Sequence, residues 1–319
     1  MRVLANDGIA EDGRRLLVEA GFEVITDKIA QADLPSRINV FDVLVVRSAT
    51  KVTQEVLEPS TRMKLVVRAG VGVDNIDIAY ARKKEIEVAN TPQSSSLSVA
   101  ELVFAHLFGV ARFISQSNRE LPTQGKAKFN DLKKKYSEGV ELRGKTIGII
   151  GFGRIGQEVA KIAYSLGMEV IAHDVYIPEA KLRFDHLPFK PSPTLEIKTT
   201  NLIDVITKSD FISLRLPHNE GMPPVLGENE FSKMKDGVGI INCARGGVLS
   251  ETALLAAIAS GKVAFAGLDV FENEPNINDA VLAENRISVT PHIGAATKEA
   301  QDRISIEVAQ VIITKMGNK

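Results

Sequence analysis

The stretch Lys145-Thr146-Ile147-Gly148-Ile149-Ile150-Gly151-Phe152-Gly153-Arg154-Ile155-Gly156 constrains this chain more than any other. A short apolar run, a glycine turn and a helix start follow one another, and Gly151, Gly153 and Gly156 stand in the spacing G-x-G-x-x-G. In that spacing the first glycine permits a tight turn, the second lets the backbone approach a pyrophosphate, and the third lets helix pack on strand. The helix then points unpaired N–H groups and the positive end of its dipole at the phosphates. Glycine-rich strand-to-helix turns also arise for packing alone, so the context decides. A helix over 157–166 stops at Gly167, and 169–174 reads as a second strand closing on an acid. Asp174 lies 18 residues beyond Gly156, close to the roughly 20 expected for a carboxylate that holds the adenosine ribose hydroxyls. A 2′-phosphate there would meet a negative charge, so the spacing predicts NAD rather than NADP.

A chain of 319 residues is long for one domain and predicts two. Its formal charge of −1, from 39 Lys and Arg against 40 Asp and Glu, points away from general nucleic-acid or membrane-surface binding. The expected partner is a small-molecule substrate. The single cysteine, Cys243, excludes an internal disulfide. The N-terminus runs directly into a strand-like 2–5 with no apolar targeting segment, and no apolar run approaches the roughly 20 residues that span a bilayer. The expected address is cytoplasmic.

The first ninety residues alternate strand and helix signals closely: strands at 3–5, 23–26, 42–46, 64–67 and 86–89, with helices over 11–20 and 76–84. Short apolar runs separated by helices predict a parallel sheet covered on both faces. Asn90-Thr91-Pro92 and Ser94-Ser95-Ser96 then mark a break, read as a hinge. Ser98 and Glu101 have the form of a capping box opening a helix over 99–115. That helix is apolar on most faces, through Leu102, Val103, Phe104, Leu107, Phe108, Val110 and Phe113, so it must be buried. A second subunit is the expected cover, giving a homodimer through the cofactor domain; an ordinary interdomain core helix is the alternative. Lys133-Lys134-Lys135 reads as a solvated face. The proline-bearing stretch 184–200 reads as a long surface loop. Beyond it the α/β alternation continues, and the chain closes with a helix over 298–316.

Three stretches of the second half share one form, an apolar strand ending abruptly in polar residues. Strand C-termini at the edge of a parallel sheet are where α/β proteins place their sites. The first, Ile240 to Gly247, puts Arg245 before two glycines, where a planar fork can meet a carboxylate; a structural salt bridge is the plain alternative. The second, Ala266 to Pro275, holds Asp269, Glu272 and Glu274; a solvated acidic loop is the plain alternative. The third, Ile287 to Ala296, holds His292 between a proline and an Ile-Gly turn; a structural histidine is the plain alternative. Together they form a set suited to hydride transfer. A hydroxyl proton needs an acceptor near neutral pH, which an imidazole supplies. A carboxylate beside an imidazole favours its charged form and fixes its tautomer.

Through these motifs the chain resembles the D-2-hydroxyacid dehydrogenase family, and within it the branch that oxidises phosphoglycerate. The match runs through Val46-Arg47-Ser48-Ala49-Thr50-Lys51-Val52, Arg68-Ala69-Gly70-Val71-Gly72-Val73-Asp74-Asn75, Asn90-Thr91-Pro92 and Ser98-Val99-Ala100-Glu101-Leu102. It continues through the glycine fingerprint, Asn242-Cys243-Ala244-Arg245-Gly246-Gly247, Asp269 to Pro275, and Pro291-His292-Ile293-Gly294. The resemblance implies two similar doubly wound α/β domains. A Rossmann NAD-binding domain, 97–293, is inserted into a flavodoxin-like substrate domain made of 1–96 and 294–319. It assigns Arg245 to the substrate carboxylate, His292 to acid–base work and Glu274 as its partner. Gly151, Gly153, Arg154, Ile155, Gly156, Asp174, Cys243, Ala244 and Asp269 would line the cofactor, and no metal is implied. The backbone of Gly70, Val71 and Gly72 would meet the substrate carboxylate, with Arg47 and Arg68 as candidates for a substrate phosphate.

The implied reaction is NAD-dependent oxidation of a D-2-hydroxy acid, first 3-phosphoglycerate to 3-phosphohydroxypyruvate on the way to serine. Alternatives are a glyoxylate/hydroxypyruvate or D-lactate type reductase and, in another class, a non-catalytic dinucleotide-sensing corepressor. Two departures bear on this. Ser95 stands where phosphoglycerate-type relatives commonly have asparagine, which weakens the substrate identity. The sequence ends after its final helix, where longer relatives carry a regulatory domain, so serine feedback is not expected.

Overall fold

The computed structural model describes residues 1–185, 187–218 and 221–317. His186, inside the expected loop at 184–200, and Asn318 and Lys319, closing the expected 294–319 segment, lie outside the described residues. The chain divides into two compact units, Met1–Ser98 with Ala295–Lys319, and Val99–Gly294.

The first unit runs β1 (Arg2–Ala5), α1 (Glu11–Glu19), β2 (Glu23–Ile25), α2 (Leu34–Arg37), β3 (Val43–Val46), α3 (Gln54–Leu57), β4 (Leu65–Arg68), α4 (Ile78–Lys83) and β5 (Glu87–Asn90). Its five strands form one parallel sheet in the order β2-β1-β3-β4-β5, which is the flavodoxin-like order. Val43-Leu44-Val45-Val46 is buried at every position because both faces are covered. Leu4, Leu44, Val46 and Val66 pack on one face with Leu34, Ile38 and Leu57. Val3, Val43, Val45, Leu65 and Val67 pack on the other with Leu17. Each such aliphatic side chain contributes about 1.5–3 kcal/mol when fully buried.

The second unit holds all but the first turn of α5 (Ser96–Ala111), then α6 (Ile114–Lys135), β6 (Thr146–Ile150), α7 (Arg154–Ser165), β7 (Glu169–His173), β8 (Glu179–Arg183), β9 (Thr194–Lys198) and α8 (Leu202–Lys208). It continues with β10 (Phe211–Leu214), α9 (Glu228–Lys233), β11 (Val238–Asn242), α10 (Glu251–Ala259), β12 (Val263–Leu268), α11 (Asp279–Ala283) and β13 (Ile287–Val289). Six strands form a parallel sheet in the order β13-β12-β11-β10-β6-β7. Strand order reverses between β6 and β10, the switch point where such sheets bind ligands beyond their strand C-termini. The last helix, α12 (Lys298–Met316), belongs to the first unit and packs on α1. Gly13 makes this crossing possible, since a Cβ there would lie 2.2 Å from the Ser305 carbonyl oxygen.

The doubly wound α/β class expected from the sequence is what the chain adopts; three local expectations are corrected. The stretch 184–200 is not all loop, because β9 pairs antiparallel with β8 in a separate two-stranded sheet. Leu195 and Ile197 alternate with polar neighbours, and Leu182 and Ile197 are buried in the core. Ser98 does not open α5, which starts at Ser96 and contains Ser98 as a buried residue. Nor does that helix reach Ser115: Phe113 takes φ 55, a left-handed conformation that ends α5 and starts α6. The Phe113 ring rests 5.7 Å from that of Tyr136. Within α6 the chain breaks again at Lys128. Among the described residues no single helix is long and apolar enough to cross a membrane.

Candidate active site

The glycine fingerprint sits at the switch point. Gly151 has φ 99, and a Cβ there would come within 2.6 Å of the Arg215 carbonyl oxygen at the end of β10. A Cβ on Gly156 would lie 2.3 Å from the Gly151 oxygen, so the third glycine brings α7 onto the turn. Gly153 differs: a Cβ on it would meet nothing within 4 Å. It is also the N-cap of α7 and provides no side-chain cap, which leaves the first amides of Arg154 and Ile155 to a ligand. At the end of β7, Asp174 accepts from Phe152 N at 2.6 Å through Oδ2, and from Tyr176 N and Ile177 N at 2.8 and 3.1 Å through Oδ1. A cradle free of side-chain atoms at Gly153, an uncapped helix of 12 residues and a carboxylate at the neighbouring strand end fit a dinucleotide.

The next strand ends carry the candidate reactive groups. After β11, Asn242 clamps the turn by accepting from Ala244 N at 3.0 Å and donating to the Arg245 carbonyl at 3.0 Å. Arg245 donates to the Ala244 carbonyl at 2.7 Å. Cys243 is buried, and burial pushes its thiol up to about 11 against the pull of the Arg215 cation, so it stays a thiol. Gly246 lies under the Phe271 carbonyl, where a Cβ would be 1.7 Å away, so the arginine turn presses directly on the loop after β12. In that loop each carboxylate has its own task. Asp269, 1% exposed, accepts from Thr290 Oγ1 at 2.6 Å and from Ile293 N and Gly294 N at 2.8 Å each. Glu272 and Glu251 each accept the other's backbone N–H at 2.8 Å. Glu274 accepts from Phe271 N at 3.0 Å and pairs with His292 Nδ1 at 2.8 Å. Burial raises the Glu274 pKa, but the His292 contact, the Phe271 amide and the Arg245 charge outweigh it and hold the carboxyl below its ordinary value. His292 has φ 55 and keeps 38% of its side chain exposed.

In the first unit, Arg47 and Arg68 sit at the C-terminal ends of adjacent strands, since Val46 pairs with Arg68. Arg47 N donates to Asp7 at 2.8 Å; burial lowers the Arg47 pKa against the pull of Asp7. The Arg68 guanidinium lies over Gly70 and donates to the Ala69 carbonyl at 2.8 Å. Asn75 donates to the Arg47 and Thr50 carbonyls at 2.7 Å each, and Asn90 to the Val71 carbonyl at 2.6 Å, which ties the Gly70-Val71-Gly72 loop to its neighbours. Within each unit, therefore, the expected residues gather at one sheet edge. Among the described residues no cluster of three His, Cys, Asp or Glu has the form of a metal site.

Sequence reasoning missed His106, Thr290 and Arg215. His106 is 3% exposed on α5 and bonds Ser288 and Thr290. Its signal was there to read, since a polar residue on an otherwise apolar buried helix must find partners. Arg215 donates to Ser213 Oγ at 3.1 Å and to the Cys243 carbonyl at 3.0 Å.

A dinucleotide cradle at the switch point of one doubly wound unit, with a second such unit beside it in sequence, is the frame of a nicotinamide-dependent oxidoreductase. The chain belongs to the D-isomer-specific 2-hydroxyacid dehydrogenase family, whose NAD-binding domain matches residues 104–294, and NAD is its cofactor. It is 42% identical over 320 residues to a hydroxypyruvate reductase of Thermotoga maritima, covering 99% of this chain and 98% of that one. It is 39% identical over 313 residues to D-3-phosphoglycerate dehydrogenase of Methanocaldococcus jannaschii, covering 98% of this chain but 57% of that protein. The crystal structure of D-lactate dehydrogenase from Aquifex aeolicus with NAD and lactic acid is similar at a TM-score of 0.75 and 27% identity, covering 99% of this chain and 95% of that one.

Proposed function

We propose that the chain oxidises a D-2-hydroxy acid with NAD, with 3-phosphoglycerate to 3-phosphohydroxypyruvate as the first choice. The observation that carries the reading is the pair of His292 Nδ1 and Glu274 Oε2 at 2.8 Å. Glu274 accepts the Nδ1–H hydrogen bond, which holds the ring in the tautomer whose Nε2 is free to accept the proton of the substrate hydroxyl. The same carboxylate, ionised at neutral pH because its pKa is lowered, balances the imidazolium that results. Bound NAD supplies the acceptor for the hydride. Arg245 offers a planar fork to the substrate carboxylate, helped by the backbone of Gly70, Val71 and Gly72. Gly151, Gly153, Arg154, Ile155, Gly156, Asp174, Cys243, Ala244 and Asp269 line the cofactor in this reading. Arg47 and Arg68, on adjacent strand ends, take the substrate phosphate.

Reduction of hydroxypyruvate is the second reading, favoured by the relative that is 42% identical along almost its full length. A panel of 3-phosphoglycerate, hydroxypyruvate, glyoxylate and D-lactate with NAD or NADH separates the two. The first reading requires kcat/KM for 3-phosphoglycerate to lead and to fall in Arg47→Ala and Arg68→Ala. If both variants leave it unchanged, the phosphate role is lost, and if no 2-hydroxy or 2-oxo acid turns over, so is the enzyme reading. The wider parts of the proposal are a role in serine formation, a cytoplasmic address and a homodimer through the cofactor domain. Supporting the dimer, Leu97 and Phe108 of α5 and Ile114, Leu121 and Phe129 of α6 are 40–59% exposed. Light scattering at micromolar protein tests this, and a clean monomer refutes it.

A further inference from the structure

His106 has no part in the chemistry described so far, yet it ends a chain of hydrogen bonds that reaches the amides of the two residues after His292. The direction of that chain follows from its far end. Ile293 N–H donates to Asp269 Oδ1 and Gly294 N–H to Oδ2, each at 2.8 Å. The Asp269 carboxylate only accepts, so the Thr290 hydroxyl gives its proton to Oδ1 at 2.6 Å. With that proton committed, Thr290 Oγ1 accepts from His106 Nε2 at 2.9 Å. Nε2 therefore carries hydrogen, and Nδ1 lies 3.0 Å from the Ser288 hydroxyl, from which it accepts when the ring holds a single proton. The ring is neutral in such an arrangement. Burial lowers the His106 pKa in keeping with it, against Asp269 and with Arg215. The fold leaves room for this ring: a Cβ on Gly267 of β12 would lie 2.6 Å from the His106 Cβ and 2.9 Å from its Cγ.

We propose that His106 is a positioning residue for His292. It sets the Thr290 hydroxyl, which orients Asp269, whose two oxygens hold the amides of Ile293 and Gly294, the two residues that follow His292. His292 keeps φ 55, a left-handed conformation that costs a non-glycine residue energy and persists only where the surroundings impose it. The bonds to Asp269 impose it, and His106 imposes the rotamer of the threonine that completes them. The proposal rests on reading His292 as the acid–base group.

The test uses the full chain with His106→Gln, His106→Leu and Thr290→Val. Glutamine offers one donor and one acceptor on a planar group, as the neutral ring does, whereas leucine fills the space and offers neither. Expected in His106→Leu is a loss of about tenfold or more in kcat, the scale of a small misplacement of a reacting group, exceeding any change in NAD affinity or substrate KM. His106→Gln regains most of that loss. A role in packing alone predicts the reverse order, leucine above glutamine, and that order would overturn the proposal. Combining His106→Leu with Thr290→Val should cost no more than either alone, and additive losses would break the link between them. Nitrogen-15 imidazole spectra give a readout without turnover, because the chain has five histidines and the His106 signals vanish in His106→Gln. They should show a neutral ring with its proton on Nε2, and the His292 signals should move in His106→Leu and return in His106→Gln. A His106 ring protonated on Nδ1, or a His292 signal unmoved by leucine, sinks the proposal. Absence of turnover with every acid would sink the functional reading while these spectra still decide the network.

Discussion

Replacing Gly153 by alanine separates the needs of the fold from those of the cofactor. Gly153 has φ −67 and ψ −165, which alanine adopts without strain, and the new methyl would meet no heavy atom within 4 Å. Removing a glycine at a compatible site stabilises by roughly 0.4–1 kcal/mol, because the unfolded chain loses freedom. Gly153→Ala should therefore unfold at the wild-type temperature or slightly above it. The methyl enters the space into which the fingerprint brings phosphate oxygens against backbone, so NAD affinity should fall at least about tenfold, or ~1.4 kcal/mol. Gly151→Ala is the counterpart. It places alanine at φ 99 with its methyl 2.6 Å from a backbone oxygen of β10's end. The left-handed conformation costs about 1–2 kcal/mol and the forced backbone shift about 1–3 kcal/mol more, so this variant should lose several degrees of melting temperature. Thermal unfolding without ligand, paired with calorimetric titration of NAD, reads both quantities. Gly153→Ala binding NAD like the wild type would refute the cradle, and Gly153→Ala unfolding as early as Gly151→Ala would refute the steric argument.

Other expected outcomes are these. His292→Asn should lower kcat by about 10²–10⁴, the usual worth of a positioned acid–base group, while calorimetry finds NAD bound as before; retained turnover would remove its role. Asp42, 6% exposed, accepts from Arg2 N at 2.7 Å and from Arg62 at 3.2 Å. Burial raises its pKa, but these partners outweigh that and set it below the ordinary carboxylate value. A depressed folded-state pKa stabilises fully above the unfolded value of about 3.9 and is lost as pH falls through the folded one. Asp42→Asn should thus cost about 1–2 kcal/mol in urea unfolding at pH 7, with the difference from wild type shrinking as pH falls through the depressed folded-state pKa; a constant difference would contradict the assignment. Gly13→Ala should force α1 away from α12, costing about 1–3 kcal/mol or more, and an unchanged urea midpoint would show that the crossing has slack.

The doubly wound class could be read directly because parallel strands covered on both faces are continuous apolar runs, as in Val43 to Val46 and Ile240 to Ile241. Strand-end residues could be read too, since polar residues that abruptly end such a run stand at the sheet edge. What stayed hidden was set by contacts distant in sequence. Nothing near Ser98 announces that Ser96 begins α5. The Thr194-Leu195-Glu196-Ile197-Lys198 alternation was a legible strand signal, outweighed by three prolines nearby. His106 meets Ser288 and Thr290 more than 180 residues away, so only its polarity within an apolar helix could announce a partner. The distinct tasks of Asp269, Glu272 and Glu274 within six residues also depend on folding, because their partners come from the residue after β13, the N-terminal end of α10 and the His292 turn.

The bond from Phe152 N to Asp174 has a bearing on redesign. Engineering a dehydrogenase toward a phosphorylated adenosine ribose commonly begins by removing the acid at the second strand end, as though it were an independent specificity switch. Here that acid also anchors the phosphate turn, at 2.6 Å, and two amides of its own loop. A variant that removes the acceptor along with the charge would release the glycine loop as well as the proposed ribose contact and weaken both cofactors together. A successful exchange of preference in this chain has to keep an acceptor at position 174 and introduce its cation elsewhere.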